Sequence, residues 1–217
     1  MSDELSDLKH AILEAALRHV PFDGWSERCL KLALAERGLD RATGLRAFPR
    51  GADDLLAFFL AEGERELADE LSRRDLGAMK IRDRVALGLR VRLEQLAPHR
   101  EAVRRAIARQ SLPPYTLGAL KRLYRTVDTV WRAAGDQATD FNFYTKRASL
   151  AWVYGATMLY WLDDDSDGHE ATWAFLDRRL DDVMKIGTAR LKLTEAVARR
   201  LRRRPAPRSR PAGSRQG

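Results

Sequence analysis

One cysteine, Cys29, stands among 217 residues, so no internal disulfide can form, and a reducing compartment suits the chain. Long apolar runs are missing too. The longest uncharged stretch, Ala148 to Leu162, is shorter than the roughly 20 residues a membrane span needs and includes Trp, Tyr, Ser, Thr and Gly. The opening residues, MSDELSDLKH, carry acids and no apolar run, which reads as neither a secretory signal nor an Arg-rich transit peptide. Histidine is scarce: His10, His19, His99 and His169 are scattered, without the Glu-x-x-His pairs of a di-iron bundle. Neither a Gly-rich phosphate loop nor a Gly-x-Ser-x-Gly elbow occurs. Catalysis therefore has little to stand on, no metal or cofactor is expected, and Cys29 reads as a small core residue. A β-type alternation of useful length is also absent.

What is present is helical and unevenly charged. Apolar residues make up 45% and charged residues 32%, an ordinary globular balance, and the length suffices for one domain with a sizeable core. The net charge of +8 is local. Residues 185–217 hold 11 Lys/Arg against one acid, Glu195, whereas the other 184 residues sum to −2. A basic tail of this kind attracts nucleic acid or anionic lipid equally well.

Apolar residues recur at helical spacing almost throughout. Leu5, Leu8, Ile12, Ala16 and Val20 predict a first helix that stops before Pro21. Ser26 caps a second, with Gly38 as its stop, and Asp40 caps a short third that ends at Phe48-Pro49. Further helices follow through Leu56–Leu71, Ile81–Leu96, Ala102–Ile107 and Leu117–Trp131, the last two separated by Pro113-Pro114. An eighth runs from about Asn142 to Leu162, a ninth from His169 to Met184 and a tenth from Thr188 to Arg204, before a Pro/Gly-rich end that reads as disordered. The first three helices match a helix-turn-helix layout, and the whole order resembles the TetR-type regulators. Residues 1–51 nevertheless carry eight cations and eight acids, a poor balance for a DNA reader, although Arg41, Arg46 and Arg50 lie near the third helix.

Two segments invite sharper readings. Asp163-Asp164-Asp165-Ser166-Asp167-Gly168 matches the first half of a calcium loop, but Ala174 stands where the closing Glu belongs. A turn in which Ser166 or Asp167 caps the next helix is the simpler reading. Aromatic residues crowd between Trp131 and Phe175. Phe143 and Tyr144 are adjacent, so one narrow helical stripe cannot bury both, and an outward ring favours a partner or a membrane.

The stretch Val130-Trp131-Arg132-Ala133-Ala134-Gly135-Asp136-Gln137-Ala138-Thr139-Asp140-Phe141-Asn142-Phe143-Tyr144-Thr145-Lys146-Arg147 is similar to the signature of the ubiquinone-biosynthesis accessory family. So are HVPFDGWS from His19, LAPHREAVRRA from Leu96 and TWAFLDRR from Thr172; the resemblance covers about residues 10–190. It implies an all-α, TetR-like fold of about nine helices plus a C-terminal amphipathic helix, usually dimeric and without regulatory function. It further implies a non-catalytic protein that binds an isoprenoid quinone precursor or phospholipid and presents the precursor to the demethoxyubiquinone hydroxylase. Carried over by position, Asp140, Phe143 and Tyr144 belong to a hydroxylase-facing patch with Val130 at its edge; Phe143 stands where the family often has tryptophan. Arg147, four residues beyond Phe143 and on the same helical face, is expected to flank that contact or to pair with a lipid phosphate. Tyr124, Trp131, Ala151, Trp152 and Gly155 are the candidate lipid-contacting residues, the small ones leaving room for a tunnel beside the eighth helix.

The family's membrane-binding helix falls on Thr188–Arg204. Here Ile186, Leu193, Val197 and Leu201 share a face, with Lys192, Arg199 and Arg203 off it. The implied division is a module at 1–51, a lipid-binding body at 52–186, the basic helix at 187–204 and a tail at 205–217. High Arg and Ala usage without a transit peptide suggests a bacterial protein, peripheral on the cytoplasmic face of the inner membrane, with an anionic lipid surface as a partner and no specific nucleic acid. The alternative is a TetR-type transcriptional regulator with a hydrophobic ligand.

Overall fold

The computed structural model describes residues 2–136 and 141–185, and among them every regular element is helical. In chain order these are α1 (Ser2–Asp23), α2 (Glu27–Glu36), α3 (Arg41–Ala47), α4 (Ala52–Arg73), α5 (Ile81–Leu96), a 3-10 turn (Ala97–His99), α6 (Arg100–Gln110), α7 (Thr116–Ala133), α8 (Phe141–Leu162) and a second 3-10 turn (Asp167–His169). A further helix, α9, is described over residues 170–185. Met1–Leu180 form one compact unit; Asp181–Gly217 group separately, and their described residues, 181–185, are helical. The expected tenth helix, and with it Ile186, Lys192, Leu193, Val197, Arg199, Leu201 and Arg203, lies outside the described residues.

Local signals account for most helix ends. The Ser26 hydroxyl accepts from the Cys29 amide at 3.2 Å, and the Asp40 carboxylate accepts from the Thr43 amide at 2.8 Å, so both predicted caps form. Gly38 sits at φ +65°, the left-handed conformation that closes a helix. The expected stop at Pro21 is wrong. Proline sits inside α1, which runs to Asp23: its missing N–H removes one bond, to the Leu17 carbonyl, near the helix end, and the ladder resumes with Gly24 N to Val20 O at 2.8 Å.

The N-terminal helices are built into the same compact unit as α4–α8. The buried indole of Trp25 donates to Ala102 O on α6 at 2.9 Å, and its ring lies 5.0 Å from Phe59 on α4. Ile12, Ala16, Val20, Cys29 and Ala33 are fully buried between α1 and α2. Burial and the neighbouring Asp23 charge push the Cys29 thiol up to about 11, which removes thiolate chemistry at neutral pH. In the body, α4, α5 and α7 pack on one another over Leu67, Leu89, Leu93 and Val127, all fully buried. At Gly88 on α5 the helices come close: an added Cβ would meet Val130 Cγ1 of α7 at 2.8 Å.

Candidate functional site

The α7–α8 pair carries most of the singled-out residues, and α8 has two distinct faces. Arg147, Leu150, Tyr154, Thr157 and Trp161 are buried, recurring every three or four residues as a seam against the body. On the other side Tyr144, Trp152 and Leu159 are 65%, 56% and 57% exposed. Ala148 and Gly155 complete that outer row, and nothing lies within 4 Å of where a Gly155 Cβ would stand. From Tyr144 to Leu159 the row extends for roughly 22 Å at the helical rise. On α7, Leu117, Leu120 and Tyr124 form a second exposed apolar row, while Thr126, Val127 and Val130 face inward. Singly exposed apolar side chains are ordinary on a protein surface; rows of them mark contact surfaces.

Beneath the α8 row lies an ion cluster that fixes the two helices together. The Arg147 side chain is 2% exposed; its Nε donates to Asp128 Oδ1 at 2.7 Å and its Nη1 to Asp136 Oδ2 at 3.0 Å. Asp128 also takes Arg132 Nε at 2.7 Å, and Asp136 takes Lys146 Nζ at 2.7 Å. Lys146 stands 5.6 Å over the Trp131 ring, and the Trp131 indole N–H reaches Lys146 O at 3.3 Å. One guanidinium thus ties the body of α7 and a residue three past its C-terminus to the first turns of α8.

This geometry corrects two of the expected patch residues. Arg147 cannot flank a partner contact, because it continues the inward seam and its charge is spent on Asp128 and Asp136. Val130, 1% exposed and seated against Gly88, cannot form the edge of a contact surface. Both are packed into the body instead. Tyr144 points outward, as one of the adjacent aromatic pair had to. Asp140 and the Phe143 side chain lie outside the described residues.

The five lipid candidates do not line a common tunnel among the described residues. The two best-formed recesses are open. One, of about 350 Å³, is bounded by Leu120, Lys121, Tyr124 and Arg125; the other, of about 570 Å³, lies between the C-terminal ends of α4 and α7 and holds none of the five. Trp131 is occupied by Lys146, while Trp152 and Gly155 sit on the outer face with Ala151 half-buried beside them. Instead α8 packs directly on α7, with Leu150 and Val153 of α8 buried.

At the other end of α8 the acidic loop is a helix junction. Asp164 is buried and accepts from Ser166 N at 2.9 Å, Thr172 N at 2.9 Å and Thr172 Oγ1 at 2.5 Å. Burial opposes its charge, but the hydrogen bonds from Ser166 and Thr172 outweigh burial and hold the carboxyl well below the usual carboxylate range. Ser166 Oγ also accepts, from Ala171 N at 3.1 Å, so the expected capping serine shares that role with Asp164. Arg104 takes Asp163 at 2.9 Å, and Arg100 reaches Leu162 O, Asp164 O and Asp165. Asp163, Asp164 and Asp165 thus have protein partners, and no group of three or more potential metal ligands occurs among the described residues.

A family model described as COQ9 matches residues 117–187, the span that holds α7, α8 and the junction. The chain is 35% identical over 191 residues to the human protein named "Ubiquinone biosynthesis protein COQ9, mitochondrial", covering 83% of this chain and 58% of that one. The Drosophila melanogaster protein of the same name is 32% identical over 184 residues, covering 82% and 56%. The chain is similar to COQ9 proteins over most of its own length. It spans a little under three-fifths of the length of these curated COQ9 relatives. Among solved structures, a TetR transcriptional regulator from Nitrosomonas europaea superposes with a TM-score of 0.68 over 82% of this chain and 98% of that one. At 20% identity it establishes the TetR-like fold alone. Among the described residues no helix is long and apolar enough to cross a membrane.

Proposed function

We propose that this chain is a non-catalytic accessory protein of ubiquinone biosynthesis that binds an isoprenoid lipid, associates with a membrane surface and presents the quinone precursor to a hydroxylase. The observation that carries the reading is the outer row of α8, aromatic and aliphatic, held over the Arg147 ion cluster within the span that matches the COQ9 family. A rigid aromatic anchor on a fixed helix is what a protein contact needs, since ordering such a side chain costs little entropy. In this reading Tyr144 contacts the hydroxylase; Tyr124, Trp152 and Gly155 lie along the lipid's path; and the basic segment beyond residue 187 engages anionic lipid at the cytoplasmic face of a bacterial inner membrane. A second copy of the chain completes a homodimer.

The regulator alternative fits the charge less well. In residues 1–51, Arg18, Arg28, Arg37 and Arg50 are each ion-paired to carboxylates, so half of a neutral module's cations are already compensated. The test is Tyr144→Ala. Binding to the purified hydroxylase should weaken about 30-fold, equivalent to about 2 kcal/mol, while the melting temperature and the lipid recovered by mass spectrometry stay as in the parent. Unchanged hydroxylase binding, together with no isoprenoid or phospholipid in the extract, would overturn the reading.

A further inference from the structure

Acids make up 31 of the 217 residues, yet none stands between Glu101 and Asp128, a stretch that carries six Lys/Arg. It runs through most of α6, the turn after it and the first two-thirds of α7. Three of the six cations are committed to carboxylates from outside the stretch: Arg104 meets Asp163 at 2.9 Å, Arg105 meets Glu101 at 3.0 Å and Arg109 meets Asp53 at 2.5 Å. Arg122 is half-buried. Lys121 and Arg125 are exposed, and neither is ion-paired among the described residues.

The same stretch exposes apolar side chains. Leu117 and Leu120 are 64% and 59% exposed on the first turns of α7, and Tyr124 follows them one turn on. At about 100° per residue these three share one arc of the helix, and Lys121 and Arg125 border that arc. The recess of about 350 Å³ lined by Leu120, Lys121, Tyr124 and Arg125 places the apolar and the basic groups side by side. This surface is fixed to the body. Tyr115, just before α7, is half-buried; its hydroxyl donates to Asp53 Oδ2 on α4 at 3.4 Å, and Arg109 stands 5.1 Å over its ring.

An exposed apolar strip bordered by unpaired cations and free of acids suits the surface of an anionic bilayer. The cations meet lipid phosphates, and the apolar side chains enter the boundary between headgroups and acyl chains. We propose that the Leu117–Arg125 face of α7 is a second membrane contact, which seats the body on an anionic phospholipid surface. The inference rests on the reading above, in which the basic segment beyond residue 187 engages anionic lipid. Two cations and three apolar side chains make a contact too small to hold the chain alone, and stable peripheral anchoring takes two signals. What the second contact adds is orientation, because it fixes which side of the body meets the bilayer.

The full chain carrying Leu117→Cys, or Leu45→Cys on α3 as the reference, is labelled with the polarity-sensitive dye acrylodan. Cys29 is buried, so the introduced thiol takes the dye. Vesicles of phosphatidylcholine, with and without phosphatidylglycerol, are added at physiological salt. With phosphatidylglycerol present, emission from position 117 should shift to the blue, and emission from position 45 should not. Sedimentation with the same vesicles should weaken about tenfold or more in the unlabelled Leu117→Ser/Leu120→Ser chain, and about fivefold in each of Lys121→Gln and Arg125→Gln. Should the double serine variant lose its fold by circular dichroism, the label and the two glutamine variants decide. Failure of the parent chain to sediment refutes membrane association itself, and this inference with it. Sedimentation with an unshifted label at 117 and unweakened variants leaves the tail as the membrane contact and overturns the inference alone. A shift at 117 on raising the protein concentration without vesicles, or on adding the purified hydroxylase alone, makes this face a protein interface and likewise overturns it.

Discussion

Replacing Arg147 with methionine tests whether the ion cluster supports the α7–α8 face. Methionine keeps most of the aliphatic stem and removes the charge, leaving Asp128 and Asp136 without their shared partner. Deleting one member of a buried pair costs about 3–5 kcal/mol, mainly because a desolvated charge is left behind. Here the lower end applies: Asp128 retains Arg132 and is 19% exposed in its side chain, and Asp136 retains Lys146. A loss of about 3 kcal/mol corresponds to a fall in melting temperature of about 6–12 °C for a domain of this size. Urea unfolding followed by circular dichroism gives the value directly. Adding Asp128→Asn and Asp136→Asn to Arg147→Met should restore a large part of the loss, since the unpaired charges are then gone; that recovery separates electrostatics from lost packing. A loss under about 1 kcal/mol for Arg147→Met, or further destabilisation on adding the two asparagines, would refute the reasoning.

Three further outcomes follow from the geometry. Gly88→Ala should destabilise by about 1–3 kcal/mol through its contact with Val130, and Val130→Ala in the same chain should relieve part of that, as read by thermal melts of the single and double variants. Asp164→Asn should lower stability by about 1 kcal/mol at neutral pH. Because the folded carboxyl lies below its unfolded value, the contribution of Asp164 is fully present above about pH 4 and is lost as pH falls through the folded value. The asparagine variant should therefore show a shallower acid limb in melts taken from pH 7 to pH 2. Truncation after Gly187 should abolish sedimentation with anionic vesicles at physiological salt and leave the melt of the remaining chain unchanged, since each basic residue contributes about 1 kcal/mol at such a surface.

Helix identity and order were legible because each relies on local chemistry. Ser26, Asp40 and Gly38 act on amides and carbonyls within a few residues, so their roles follow from type and position. Pro21 misled because a proline removes one helical bond without always ending the helix: here the loss falls near the end of α1, which continues to Asp23. The outward Tyr144 was readable from helical geometry and adjacency. The burial of Arg147 was readable in principle, since positions 147, 150, 154, 157 and 161 form one seam; a charged residue in that register is easily assigned to the surface because its carboxylate partners are 11 and 19 residues away.

The two faces of α8 also separate two kinds of freedom. Substitutions along the Arg147–Trp161 seam act through folding, where every change is felt by α7 and the body. Substitutions along the Tyr144–Leu159 row fall on the exposed side of the helix, so they can alter what the protein recognises while leaving intact the framework that presents it. A helix arranged this way can change its binding specificity in small steps without passing through unfolded intermediates, and the outer row is the place to redesign the protein for a different partner.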